Sequence, residues 1–218
     1  MVRASWASAA RSTTEPPGRR APEARTAAAA ACATTRTPSS VTAAGARSPD
    51  PGAAGDFEIV RVGYGHPDAA LLIEQVQEEY VARYGSRDET PLDPLMFEPP
   101  SGSFFVGYLA GHPVATGAWR RSTVEAFGST ESAEIKRMYV APPAQRRGLA
   151  RRMLAHLERT AAASGARSLV LETGTAQPEA IALYVSAGYT PVPGFGYYRD
   201  QPESRCFARS LTPPAERA

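Results

Sequence analysis

The stretch Glu134-Ile-Lys-Arg-Met-Tyr-Val-Ala-Pro-Pro-Ala-Gln-Arg-Arg-Gly-Leu-Ala150 decides how the rest of this chain is read. Glu134–Val140 alternates like a strand, and Pro142 and Pro143 end it. A helix then runs from about Arg147 to Ser164, with Ala150, Leu154, Leu157 and Ala161 on one face and Gly165 closing it. Gly148 opens that helix, and Arg146, Arg147 and Arg151 fall in its first turn. Arginine at a helix N-terminus opposes the macrodipole unless an anion compensates it. Free N–H groups at such a start bind phosphate oxygens, and glycine admits the anion closely. This reads as a pyrophosphate site. It lacks the Gly-Lys-Ser/Thr of a nucleoside-triphosphate loop and the Gly-x-Gly-x-x-Gly of a dinucleotide fold.

Upstream, Phe57–Val62 alternates as a half-buried strand. A helix opens at His66-Pro67-Asp68 and repeats apolar residues through Ala69, Leu72, Ile73, Val76 and Tyr80, ending near Gly85. The Pro-rich segment 86–101 reads as a loop or short helical turn. Phe104–Leu109 and Val114–Trp119 form a hairpin through Ala110-Gly111-His112-Pro113. Downstream, Ser168–Glu172 is a short apolar strand, and Pro178 starts a helix closed by Gly188. Tyr189–Val192 and Arg205–Leu211 supply two more strands. The order β-α-β-β-β-α-β-α-β-β predicts an α/β sandwich on a mixed sheet.

Residues 1–55 differ. Ala, Ser, Thr, Pro, Gly and Arg make up 47 of these 55 positions, too little apolar surface to offset ordering entropy. We expect 1–55 to be a disordered tail, either a plain extension, a transit-like segment or the product of an early start codon, and 56–218 to be the working domain. The tail carries a net +4 of the chain's +2, leaving −2 for the domain. That excludes a generic nucleic-acid surface built on the Arg146–Arg152 cluster. Two cysteines, Cys32 and Cys206, support neither a disulfide framework nor a zinc site. No run is long and apolar enough for a membrane span. A cytoplasmic location with no metal, nucleic acid or membrane partner is expected.

Gln145-Arg146-Arg147-Gly148-Leu149-Ala150 resembles the Gln/Arg-x-x-Gly-x-Gly/Ala signature of the GNAT superfamily of acyl-CoA-dependent N-acetyltransferases. Ala180-Ile-Ala-Leu-Tyr184-Val-Ser-Ala-Gly188-Tyr189 is similar to that family's later Ala-x-x-Leu-Tyr-x-x-x-Gly-Phe/Tyr segment. The resemblance spans roughly 57–211. It implies a mixed, mostly antiparallel β-sheet flanked by helices, with its central strands splayed to admit acetyl-CoA.

It also implies site residues. Met138, Tyr139 and Val140 match the strand that pairs with the pantetheine arm, with the Met138 N–H on the thioester oxygen. Gln145, Arg146, Arg147, Gly148, Leu149, Ala150 and Arg151 match the pyrophosphate loop. An Asn commonly follows the fifth strand in the family; here Thr173-Gly-Thr-Ala-Gln177 stands instead, so Gln177 or Thr173 takes that contact. Tyr184 matches the general acid toward the CoA sulfur. Glu134 lies at the spacing of a general base, and period-2 alternation puts residues 134, 136, 138 and 140 on one face. It reads equally as an ion-pair partner of Lys136, the chain's only lysine, or of Arg137. The acceptor is a primary amine of a small molecule or peptide, shaped by 67–101 and by 193–204 with Phe195, Tyr197, Tyr198 and Arg199. A silent acyl-CoA-binding module is the alternative, and a homodimer is compatible with either.

Overall fold

The computed structural model describes residues 57–212, so the reading of 1–55 lies outside the described residues. Seven strands form one sheet in the order β1-β2-β3-β4-β5-β7-β6. They are β1 (Phe57–Val62), β2 (Gly102–Leu109), β3 (His112–Ser122), β4 (Ser132–Val140), β5 (Ser168–Gly174), β6 (Thr190–Pro191) and β7 (Ser204–Ser210). Among the described residues only the β4–β5 pair is parallel. The helices are α1 (Pro67–Tyr84), α2 (Leu149–Ala163) and α3 (Pro178–Ser186). The expected element order and sheet class are those observed.

Local chemistry sets the boundaries. His66 caps α1 by accepting from the Asp68 N–H, and Gly85 ends it in the left-handed region. The β2–β3 turn needs only Ala110 and Gly111, both with positive φ, so His112 and Pro113 begin β3 rather than lie in the turn. A 3₁₀ turn at Pro94–Phe97 is the only helical piece of 86–101.

The two faces of the sheet are covered differently. Met153, Leu154, Leu157 and Ala161 of α2, with Tyr184 of α3, pack on Phe105, Ala115, Trp119, Ile135, Leu169 and Leu171. On the opposite face, Ala69, Leu72 and Val76 of α1 pack on Phe104, Val106, Ala118 and Tyr139. Burying this apolar area at about 25 cal/mol per Å² is what holds the layers together.

β4 changes face midway. Lys136 pairs with Ala118 and Tyr139 with Thr116, so two residues, Arg137 and Met138, oppose the single Gly117. This is a β-bulge with Arg137 at φ +53°, and the buried Thr116 hydroxyl donates to the Arg137 carbonyl at 2.8 Å. The expectation that residues 134, 136, 138 and 140 share one face is therefore corrected. Glu134, Lys136 and Arg137 project toward the α1 side, whereas Met138 and Val140 pack with the α2 core. Strict alternation fails wherever a bulge inserts a residue.

Candidate active site

β4 and β5 pair through Ser132↔Ser168, Ala133↔Leu169 and Glu134↔Val170 and then part. Beyond that point β4 keeps its β3 partner but has none on the β5 side. The separated ends leave a slit in the ladder at the middle of the sheet.

On the α2 face, Tyr184 is the one buried residue of α3, and its hydroxyl lies 3.7 Å from the Met138 sulfur. Burial pushes its pKa above the ordinary tyrosine value, so the hydroxyl keeps its proton at neutral pH. Tyr139, read as a member of the same run, faces α1 instead.

Where the strand ends, the Gln145 side chain donates to the Val140 carbonyl at 3.0 Å and folds the turn back on itself. Arg146 and Gly148 are left-handed, at φ +61° and +75°, backbone of the kind that turns successive N–H groups to one side. The helix begins at Leu149, so Arg146 and Arg147 precede it rather than occupying its first turn. α2 has no side-chain cap, and a Cβ built on Gly148 would meet nothing within 4 Å. Uncapped N–H groups behind open space, flanked by the exposed Arg146 and Arg147, fit a pyrophosphate. Leu149 is buried in the core and supports this start, with Ala150 half-buried beside it. Arg151 is instead tied to the end of α3, donating to the Ser186 hydroxyl at 2.6 Å.

Gln177 meets the other lip of the slit. Its Oε1 accepts from Thr173 Oγ1 at 3.2 Å and from Tyr84 Oη at 3.4 Å. Both residues proposed for the missing Asn contact thus converge on one amide.

The α1 face carries the charges. Glu134 is nearly buried and lies 2.7 Å from Lys136 Nζ, while Arg120 donates through Nε at 2.8 Å and Nη2 approaches to 2.7 Å. Of the two sequence readings of Glu134, the geometry supplies the ion pair; Arg137 is paired elsewhere, with Asp88. Reasoning from sequence missed Glu172. It is half-buried on β5, its Oε1 accepts from Ser204 at 2.7 Å, and burial pushes its pKa up more than Ser204 and Lys136 pull it down. Its signal was the break in the apolar run Ser168-Leu-Val-Leu-Glu172. Tyr198 points inward toward Asp88, Phe195 packs beside Val170, and Tyr197 and Arg199 are exposed. His156 is half-buried against Phe105, away from the slit.

Comparison with known proteins bears on this geometry. The Acetyltransferase (GNAT) family model matches residues 73–189. An IAA acetyltransferase of Azospirillum brasilense is 34% identical over 140 residues, covering 64% of this chain and 88% of that protein. A Klebsiella pneumoniae structure described as an acyl-CoA N-acyltransferase superposes with a TM-score of 0.59 at 25% identity, covering 72% of this chain and 98% of that one. The GNAT domain of S. lividans PAT shares the fold, with a TM-score of 0.55 at 20% identity over 71% of this chain and 90% of that one.

Proposed function

The chain belongs to the GNAT acetyltransferase family, and within it we propose direct transfer of the acetyl group of acetyl-CoA to a primary amine of a small molecule or peptide. Membership makes it an acyltransferase; the amine and the residue roles are the proposal. One observation carries it: the β4–β5 slit has a buried phenol at one mouth and a half-buried carboxylate at the other.

The pyrophosphate rests on the uncapped start of α2 at Gly148–Arg151, between Arg146 and Arg147, and the pantetheine arm follows Met138–Val140. Gln177, oriented by Thr173 and Tyr84, closes the second side. The amine enters from the α1 face. Its nitrogen attacks the thioester carbon, a C–N bond forms, and the C–S bond breaks. Glu172 accepts the proton released by the amine, burial raising its pKa and so making it a stronger base than a solvated carboxylate. Tyr184 returns a proton to the departing thiolate on the opposite face. Glu134, already matched with Arg120 and Lys136, holds that ammonium near Glu172, so the base role passes from Glu134 to Glu172. The same proposal places the activity in residues 56–218, in the cytoplasm.

The test is thiol release from acetyl-CoA with a panel of amino acids, spermidine, an aminoglycoside and a peptide with a free N-terminus, followed by product mass. An amine-dependent rate and an added acetyl group support the reading. Acetyl-CoA binding without turnover on any amine leaves the silent binding module instead.

A further inference from the structure

Asp88 lies in the connection between α1 and the 3₁₀ turn, a segment with no strand partner. Its carboxylate nevertheless collects bonds from three separate parts of the chain. Arg137 Nη1, projected from the β4 bulge, pairs with Oδ2. Thr90 donates twice to Oδ1, through its N–H at 2.9 Å and its hydroxyl at 2.6 Å. Tyr198, in the β6–β7 connection, donates to Oδ1 at 3.2 Å, and its own oxygen accepts from the Glu89 N–H at 2.8 Å. The Asp88 N–H in turn donates to the buried Gln77 Oε1 on α1 at 2.9 Å. Charge-assisted bonds of this kind order a loop more firmly than neutral ones.

One of the two connections joined here, that between β6 and β7, flanks Glu172. Ser204 bonds its carboxylate, and a Cβ on Gly196 would stand 3.3 Å from its Oε2. Arg137 is buried, its Nε has no partner, and Asp88 is its carboxylate, so the guanidinium stays in place only while Asp88 does. We propose that Asp88 is a positioning residue for the amine acceptor: through Arg137 and Tyr198 it locks the 86–93 and 193–203 connections to the β4 bulge, setting the width of the pocket over Glu172. This rests on the amine-transfer reading above. It assigns the specificity wall of that site to one carboxylate that touches neither substrate. The bulge acquires a purpose as well, since a regular β4 would turn residue 137 to the other face.

The experiment compares Tyr198→Phe, Asp88→Asn and the double variant in the full chain. Tyr198→Phe removes one hydroxyl and strands no charge, so it carries the test even if Asp88→Asn folds poorly. Hydrogen exchange is read at the Glu89 and Thr90 amides, acetyl-CoA affinity by calorimetry, and KM and kcat with whichever panel amine turns over. Exchange should accelerate at least tenfold at 89–90 and stay constant in β3 and β4. KM for the amine should rise at least fivefold while kcat and acetyl-CoA affinity change less than twofold. The double variant should be no worse than Asp88→Asn alone. Unchanged exchange, an unchanged amine KM, or an acetyl-CoA affinity falling in step with that KM overturns the proposal. Absence of turnover on every amine removes the transfer reading, while the exchange result still decides whether the two connections are locked.

Discussion

The Tyr184 hydroxyl lies 3.7 Å from the Met138 sulfur, joining residues 46 positions apart across the gap that β4 and β5 open. Met138 reaches that position because the bulge at Arg137 shifts it onto the α2 face. Tyr184 reaches it because it is the one residue that the short α3 buries. A phenol is thus placed on the face opposite Glu172, the arrangement the proposed transfer uses to keep amine and thiol on separate sides.

Tyr184→Phe tests the acid. The ring and its packing on Tyr189 survive, at 5.7 Å between centroids, and only a proton donor is lost. Turnover should fall about 10²-fold with acetyl-CoA affinity unchanged. Steady-state thiol release with calorimetry checks this, and full activity would remove Tyr184 from the chemistry.

Glu172→Gln and Glu134→Gln should differ in kind. Because burial raises the Glu172 pKa, the wild-type rate, plotted against unprotonated amine, should decline on the acid side above the ordinary carboxylate value of 4.5. Glu172→Gln should abolish that limb, with a rate deficit that is full at neutral pH and shrinks as pH falls through the Glu172 pKa. Glu134→Gln leaves Arg120 and Lys136 without their carboxylate and should cost about 2 kcal/mol in urea unfolding. An acid limb that persists in Glu172→Gln would return the base role to Glu134.

Gly148→Val tests the phosphate loop. The new side chain meets no neighbour, so its cost to folding comes from φ +75° alone, about 1–2 kcal/mol. It projects into the space assigned to the pyrophosphate. Acetyl-CoA should bind at least tenfold more weakly, a loss of about 1.4 kcal/mol. Calorimetry on the folded variant reads it directly.

Gly174→Ala addresses the far lip. A Cβ there would stand 2.0 Å from the Tyr84 hydroxyl, so the ring must leave and Gln177 loses one of its two donors. Weaker acetyl-CoA binding with a lowered Tm is expected. Binding unchanged from wild type would exclude Gln177 as a contact.

The acid stability of Asp88 follows from its surroundings. Burial raises its pKa, but the Arg137 charge and the two Thr90 bonds prevail and hold it below the ordinary 3.8. A lowered carboxylate contributes stability that is present above its unfolded value and lost as pH falls through the folded one. The Tm gap between wild type and Asp88→Asn should therefore be widest near neutral pH and close below about pH 3.8. Thermal melts across that range give the answer.

What the sequence determined was local. Period-2 and period-3.6 apolar patterns, Pro67 and Pro178 at helix starts, and Gly85, Gly111, Gly148 and Gly188 at turns sufficed for the element order, the mixed sheet and the glycine turn into α2, because each depends on residues a few positions apart. The tertiary structure decided what depends on residues brought from afar. Alternation could not reveal the bulge, since that insertion is stabilised by Thr116 on the neighbouring strand, so Glu134 and Met138 went to opposite faces. Nor could spacing tell which cation meets Glu134, because Arg120 arrives through the β3–β4 register. The Asp88 cluster joins α1, β4 and the β6–β7 connection, which only the folded sheet brings within hydrogen-bond reach.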